Sequence, residues 1–271
     1  IAPNAFKNNV AIRSVVIPNS VTIMGEAAFS GCSSLESMTV PFVGNIPNGS
    51  SNYYFGFIFG ATGSSYNSNH VPSTLTEVIV TGGTKIGADA FYGCKYITDI
   101  TLPSGLTSLG SDAFESCTGL KNVYFNGTIE DWCKINFSSS DSNPMYYAEH
   151  IYMLDENNEY YEVTDITIPD TITKIGDYQF NGFDKCGTIT ISSSVTSIGN
   201  RAFDGCEDTK FIVPYKAMKQ HLISTSYLDV EQIEITGLTN GTGAWAWPDD
   251  GNITIPDGVT SIGAYAFYNT A

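Results

Sequence analysis

A phenylalanine that returns at fixed intervals constrains this chain more than any other feature. Phe6, Phe29, Phe91, Phe114, Phe180, Phe203 and Phe267 all stand in one recurring phrase. Its consensus is Ile-Pro, two residues, Val-Thr, one residue, Ile-Gly, two residues, Ala-Phe, two residues, Cys; Ile17 to Cys32 and Leu102 to Cys117 follow it with small changes. The short steps between phenylalanines are 23 residues each (29−6, 114−91, 203−180), and the long steps are 62, 66 and 64 (91−29, 180−114, 267−203). A unit of that size cannot bury its own apolar face. Stacked on copies of itself it shares a core with its neighbours, so the spacing predicts a solenoid with irregular blocks at regular intervals.

The phase of each residue suggests its role. Ile97-Thr98-Asp99-Ile100-Thr101-Leu102 alternates apolar and polar, as a half-buried strand does. Ile100 and Leu102 are expected inside, with Asp99 and Thr101 facing solvent. Pro103 ends the strand, because it has no amide hydrogen for the ladder. Gly25, Gly87, Gly110, Gly176, Gly199 and Gly263 share one phase, and a tight turn with positive φ is the expected reason. The Ala-Phe pair then gives a small residue for close coil contact and a large one for the core.

Here the phrase resembles the BspA-like, treponemal-type leucine-rich repeats of bacterial surface proteins. The irregular blocks resemble that family too: Pro41-Phe42-Val43-Gly44 with Phe55-Gly56-Phe57-Ile58-Phe59-Gly60-Ala61, Glu130-Asp131-Trp132-Cys133 leading to Asn143-Pro144-Met145-Tyr146-Tyr147-Ala148, and Val213-Pro214-Tyr215-Lys216-Ala217. Leucine-rich repeats commonly place Asn after the strand; Pro stands there in this chain, as in that subclass. The resemblance implies a mainly β, curved, right-handed solenoid. Parallel strands would line its concave face, and the convex side would hold short strands, turns and short helices. Residues 1–271 then read as a single such domain cut from a longer chain, since the first residue is Ile1 and the last ones stop in mid-phrase. Insertions fall at roughly 41–74, 127–162 and 214–251.

Composition narrows the function. Lys and Arg number 12 against 28 Asp and Glu, a formal charge of −16. Such a surface argues against nucleic acid, which needs cationic groups to release counterions, and against anionic lipid. No run of about 18 apolar residues occurs, so membrane insertion is not expected. No nucleophile elbow, phosphate-binding loop or paired metal-ligand spacing is present. The histidines, His70, His150 and His221, lie in different irregular segments. No enzyme activity and no cofactor are expected.

The cysteines fit packing better than chemistry. Cys32, Cys94, Cys117 and Cys206 each follow the recurring Phe by three, which makes a buried column of small, weakly polar side chains. A Cys94–Cys117 disulfide is the alternative, since neighbouring coils lie about 5 Å apart. Cys133 and Cys186 fall outside the column.

Three surfaces are candidates for binding. The solvent-facing strand positions form a stripe through Ser14, Ser37, Glu77, Asp99, Asn122 and Asp165, and a second one through Val16, Thr39, Ile79, Thr101, Tyr124 and Thr167. Glu77, Asp99, Thr101, Asn122, Tyr124, Asp165 and Thr167 are the named contacts. This stripe carries acids without Lys or Arg, which favours a basic or neutral partner. The first insertion holds Tyr53, Tyr54 and Phe55, either as a small satellite core or as an aromatic contact surface. Trp245 and Trp247 stand beside Gly and Pro, where the indoles either pack in the core or at its edge, or are exposed to stack on a sugar. In the second insertion a hairpin is expected from Ile151–Leu154 and Tyr160–Val163, with Asp155–Glu159 only faintly like a calcium loop. Tyr215–Ile223 reads as a helix and Val230–Ile235 as a strand.

The reading is a non-enzymatic cell-surface or secreted interaction and adhesion module. Its expected partner is a protein of host matrix or another cell surface. A carbohydrate-binding module using exposed aromatics, or a spacer with no ligand of its own, are the alternatives.

Overall fold

The computed structural model of the protein describes residues 1–214, 222–223, 228 and 230–235. In chain order its strands are β1 (Ser14–Val16), β2 (Ser37–Val40), β3 (Glu77–Val80), β4 (Lys85–Ile86), β5 (Asp99–Leu102), β6 (Ser108–Leu109), β7 (Asn122–Phe125) and β8 (Asn136–Phe137). They continue as β9 (His150–Leu154), β10 (Tyr160–Glu162), β11 (Asp165–Thr167), β12 (Lys174–Ile175), β13 (Thr188–Thr190), β14 (Ser197–Ile198), β15 (Lys210–Val213) and β16 (Ile233–Ile235). Among the described residues, Asn67–His70 and Ile129–Trp132 are helices of a single turn.

Each winding has three sides. The first is a strand of a parallel ladder: β1, β2, β3, β5, β7 and β9 lie side by side in that order, and β11, β13, β15 and β16 form a second ladder. The next side carries two-residue strands, β4-β6-β8 and β12-β14, also parallel. The third side is the turn that holds the Ala-Phe pair. There the backbone of one winding bonds the next at every second residue: Asp89, Phe91 and Gly93 amides donate to the Ser111, Ala113 and Glu115 carbonyls at 2.8–2.9 Å. Tyr178, Phe180 and Gly182 repeat this onto Asn200, Ala202 and Asp204. The turns thus satisfy their polar groups as a sheet does, which lets them pack against an apolar core.

The recurring phenylalanines form the spine of that core. Phe91 and Phe114 stack at 5.3 Å and 7°, and Phe180 and Phe203 at 5.5 Å and 5°. Phe29, Phe91, Phe114, Phe180 and Phe203 are at most 1% exposed. Phe6 stacks on Phe29 at 5.0 Å and is 40% exposed. Phe267 lies outside the described residues.

The glycine column exists for a different reason from the one expected. Gly25, Gly87, Gly110, Gly176 and Gly199 are not in the positive-φ set. Instead, a Cβ on Gly110 would stand 2.4 Å from the Ala88 amide nitrogen, and one on Gly199 would stand 2.5 Å from the Gly176 carbonyl carbon. At Gly25, Gly110 and Gly199 the backbones of successive windings touch, while Gly87 faces the Tyr53 ring and Gly176 the Gln179 side chain. The left-handed positions fall two residues later, at Ala27, Asp89, Asp112, Tyr178 and Arg201, all with φ of 51–58°.

The insertions 41–74 and 127–162 are enlarged windings within the stack. Phe55–Phe59 forms a turn that slots between the Phe29 and Phe91 windings: the Phe29 amide donates to the Ile58 carbonyl at 2.8 Å, and the Phe55 amide to the Ala90 carbonyl at 2.8 Å. Phe55 packs on Phe91 at 5.1 Å, and Phe59 on Phe29 at 6.5 Å. In the second insertion Thr128 caps Ile129–Trp132, with Asp131 completing the capping box. Trp132 is fully buried; its indole donates to the Gln179 carbonyl at 2.9 Å, and the Gln179 amide donates back to the Trp132 carbonyl at 2.6 Å. Gln179 sits where other windings have Ala28, Ala90, Ala113 or Ala202. This reciprocal pair joins the first ladder's windings to the second's.

The hairpin expected in that insertion is present, as antiparallel β9 and β10. Its first leg is also a full member of the parallel ladder, beside β7. Asp155 at the tip accepts from the amides of Asn157 and Glu159 at 2.8 and 2.9 Å, so it orders the turn. Most of the third insertion, 214–251, and most of the helix expected at Tyr215–Ile223 lie outside the described residues; Leu222 is buried. The strand expected at Val230–Ile235 is shorter, with a 3-10 turn over Val230–Gln232 before β16.

Candidate functional site

The outward side chains of the seven-stranded sheet are in register, so the ladder itself builds a surface. One column runs Ser14, Ser37, Glu77, Asp99, Asn122, His150. The next runs Val16, Thr39, Ile79, Thr101, Tyr124, Tyr152, and Glu162 of β10 stands opposite Tyr152. The five expected contacts on this sheet, Glu77, Asp99, Thr101, Asn122 and Tyr124, therefore occupy consecutive rungs. Asp165 and Thr167 lie on the second ladder, on β11. They adjoin Thr188, Lys210, Thr190 and Ile212 in register. Lys210 corrects the expectation of a stripe without cations; it pairs with Glu234 at 2.5 Å.

Sequence reasoning missed the residues that give the face its character. Tyr152 stacks on Tyr124 at 4.8 Å and 14°, and Tyr160 meets Tyr124 edge-on at 5.1 Å and 70°. The Tyr160 hydroxyl donates to Asn126 across the strands. Thr101, expected in solvent, is only 9% exposed, beside the Tyr160 hydroxyl. His150 lies against Glu162 at 2.6 Å, and the Asn122 amide donates to Asp99 at 2.8 Å. Partial burial raises the Tyr124 phenol above its ordinary range, and Asp99, Tyr152, Glu77 and Tyr160 push the same way. Tyr152 is raised by burial, then by Glu162 and Asp99. These rings therefore stay neutral and sit in a negative field.

The aromatic contacts named in the first insertion need correction. Tyr54 is 8% exposed and Phe55 1%, so both are core residues under the enlarged winding. The Tyr54 hydroxyl donates to the Ala61 carbonyl at 3.2 Å. Tyr53 alone reaches a surface, where it leans on Gly87 and lines a groove of about 270 Å³ with Asn48, Lys85, Ser108 and Asn136. Trp245 and Trp247 lie outside the described residues.

All six cysteines are free, including Cys94 and Cys117. The column thiols of Cys32, Cys117 and Cys206 donate to the Phe6, Phe91 and Phe180 carbonyls of the preceding winding at 3.1–3.2 Å. Burial pushes the Cys117 and Cys186 thiols up to about 12. Cys186 takes the core position held by Leu35, Ile97 and Leu120 in other windings, six residues after the Phe. Among the described residues no three His, Cys, Asp or Glu side chains converge as a metal centre requires, and no helix is long and apolar enough to cross a membrane.

A family model for the BspA type leucine-rich repeat region matches the chain in six copies, over residues 1–54, 73–158, 157–240 and 241–271. None of the curated proteins matches it. Among solved structures it is similar to a leucine-rich cell surface protein from Faecalibacterium prausnitzii: identity is 20%, coverage 80% of this chain and 64% of that one, TM-score 0.27. The Treponema pallidum leucine-rich repeat protein gives 18%, 88%, 79% and 0.31 in the same order. A Bacteroides ovatus leucine-rich repeat protein gives 21%, 79%, 58% and 0.33. The chain thus spans less than two thirds of the first and third of these.

Proposed function

Given that the chain belongs to the BspA-type leucine-rich repeat family, we propose that it is a non-enzymatic protein-interaction module, displayed at a bacterial surface or secreted. It binds through the strand-lined face, taken as the concave side of a right-handed coil. The observation that carries this reading is the register of the two outward columns across β1 to β9. A ladder holds these side chains in place before any partner arrives, so little ordering entropy opposes contact. Solenoids in general present such extended faces.

Binding to immobilised host matrix proteins tests it. Ile79→Arg in the middle of the face is expected to abolish capture, while Ser197→Arg on the neighbouring side leaves it intact. Equal capture by both variants would remove the strand face from the reading. Tyr53 favours a second reading, a glycan in the groove beside Asn48 and Asn136; glycan binding lost in Tyr53→Ala would support it.

A further inference from the structure

We propose that the strand-lined face receives a basic side chain of a protein partner, an arginine above all, against the Tyr124–Tyr152–Tyr160 cluster and between Glu77, Asp99 and Glu162. This deepens the contact surface proposed above and rests on it. The geometry narrows the chemistry in three ways. First, the rings form a raised wall at one end of the sheet: Tyr160 is 44% exposed, and Tyr124 and Tyr152 are half-buried beneath and beside it. The π-face of a phenol is negative and attracts a cation set over it. Second, carboxylates flank the wall. Glu77 and Asp99 stand on successive rungs of the adjacent column, and Glu162 faces Tyr152. Third, among the described residues no outward position on the strands of this sheet is Lys or Arg. Its one ring base, His150, already lies against Glu162.

The approach to the wall also suits a long side chain. Val16, Thr39 and Ile79 give the column short, mostly apolar side chains on the way to Thr101. The methylene stem of an arginine can lie along them while its head reaches the rings. A planar guanidinium stacks on an aromatic face and forks onto carboxylates at once, which an ammonium does not. A neutral partner would leave Glu77 and Asp99 covered without a counter-charge, at a desolvation cost.

The test is titration calorimetry with a capped, extended peptide of alternating arginine and serine, and with the same peptide carrying citrulline. Citrulline keeps the shape and removes the charge. The arginine peptide is expected to bind about tenfold more tightly than the citrulline peptide, a difference on the scale of a cation–aromatic contact. Tyr152→Leu, which leaves net charge unchanged, is expected to remove most of that difference. The Glu77→Gln, Asp99→Asn double variant is expected to do the same, and Tyr160→Phe to preserve it. Circular dichroism checks that each variant folds. Equal binding of the two peptides overturns the proposal, and so does a preference that survives Tyr152→Leu. If Ile79→Arg abolishes matrix capture while the two peptides bind alike, the face stands as a contact surface and this proposal alone falls.

Discussion

At the scale of single residues, the buried thiols make stability depend on alkaline pH. Burial holds Cys117 protonated in the fold up to about pH 12, against a smaller opposing effect of a backbone hydrogen bond from Cys94. In the unfolded chain a thiol ionises near 8.5. The folded form therefore binds more protons between those values, and unfolding becomes easier as pH rises through that window. The expected slope is about 1.4 kcal/mol per pH unit for each such thiol. Denaturation of the protein and of Cys117→Ala at pH 7.5 and 9.5 isolates this residue: the variant should lose less stability on going to pH 9.5. Identical losses would mean that Cys117 ionises as freely inside as outside. Phe114 gives a second test. Replacing it with Ala opens a cavity against Phe91 and should cost about 3–5 kcal/mol in chemical denaturation. A loss below about 1 kcal/mol would place it outside the packed spine.

Among elements, the corner where windings touch and the enlarged windings decide how regular the stack is. Gly110→Ala would set a methyl group 2.4 Å from the Ala88 nitrogen. That atom is backbone and cannot swing aside, so the substitution should destabilise by at least about 2 kcal/mol. An unchanged thermal midpoint would mean that the windings are further apart than described. The glycine phase was legible in the sequence; its reason was not, because a missing Cβ serves a close approach and a left-handed turn equally well. Gln179→Ala restores the residue type of the other windings yet should cost about 1 kcal/mol, since the Trp132 carbonyl loses one of its two donors and keeps only the Ile135 amide. The strand phases and the hairpin could be read from alternation. The role of β9 could not: it follows β7 by 28 residues (150−122) without the Ile-Pro phrase, so nothing local marks it as a rung.

For the whole molecule, the stack explains why the candidate site was only half visible beforehand. Glu77, Asp99, Asn122 and Tyr124 keep the repeat's phase, so their common face follows from counting residues. Tyr152 and Tyr160 join them through an enlarged winding and a hairpin return, contacts set by three-dimensional packing across irregular sequence. For Tyr54 and Phe55 the sequence left a satellite core and a contact surface both open; the first enlarged winding uses them as core, to fill the gap between the Phe29 and Phe91 layers. Windings of 23, 40, 22, 23 and 28 residues (Ser14 to Ser37, Glu77, Asp99, Asn122 and His150 in turn) all meet the same ladder. Extra length is absorbed on the other sides, and the strand face stays continuous.

Hydroxyl-radical footprinting read by mass spectrometry tests this division of inside from outside most directly. Tyr152, Tyr160 and Tyr161 should be oxidised readily, while Phe91, Phe114, Phe180 and Phe203 stay protected until the chain unfolds. Adding the arginine–serine peptide should then shield Tyr152 and Tyr160 but leave Tyr146 on the turn side unchanged. Oxidation of the recurring phenylalanines at the rate of those tyrosines would contradict a shared dry interior.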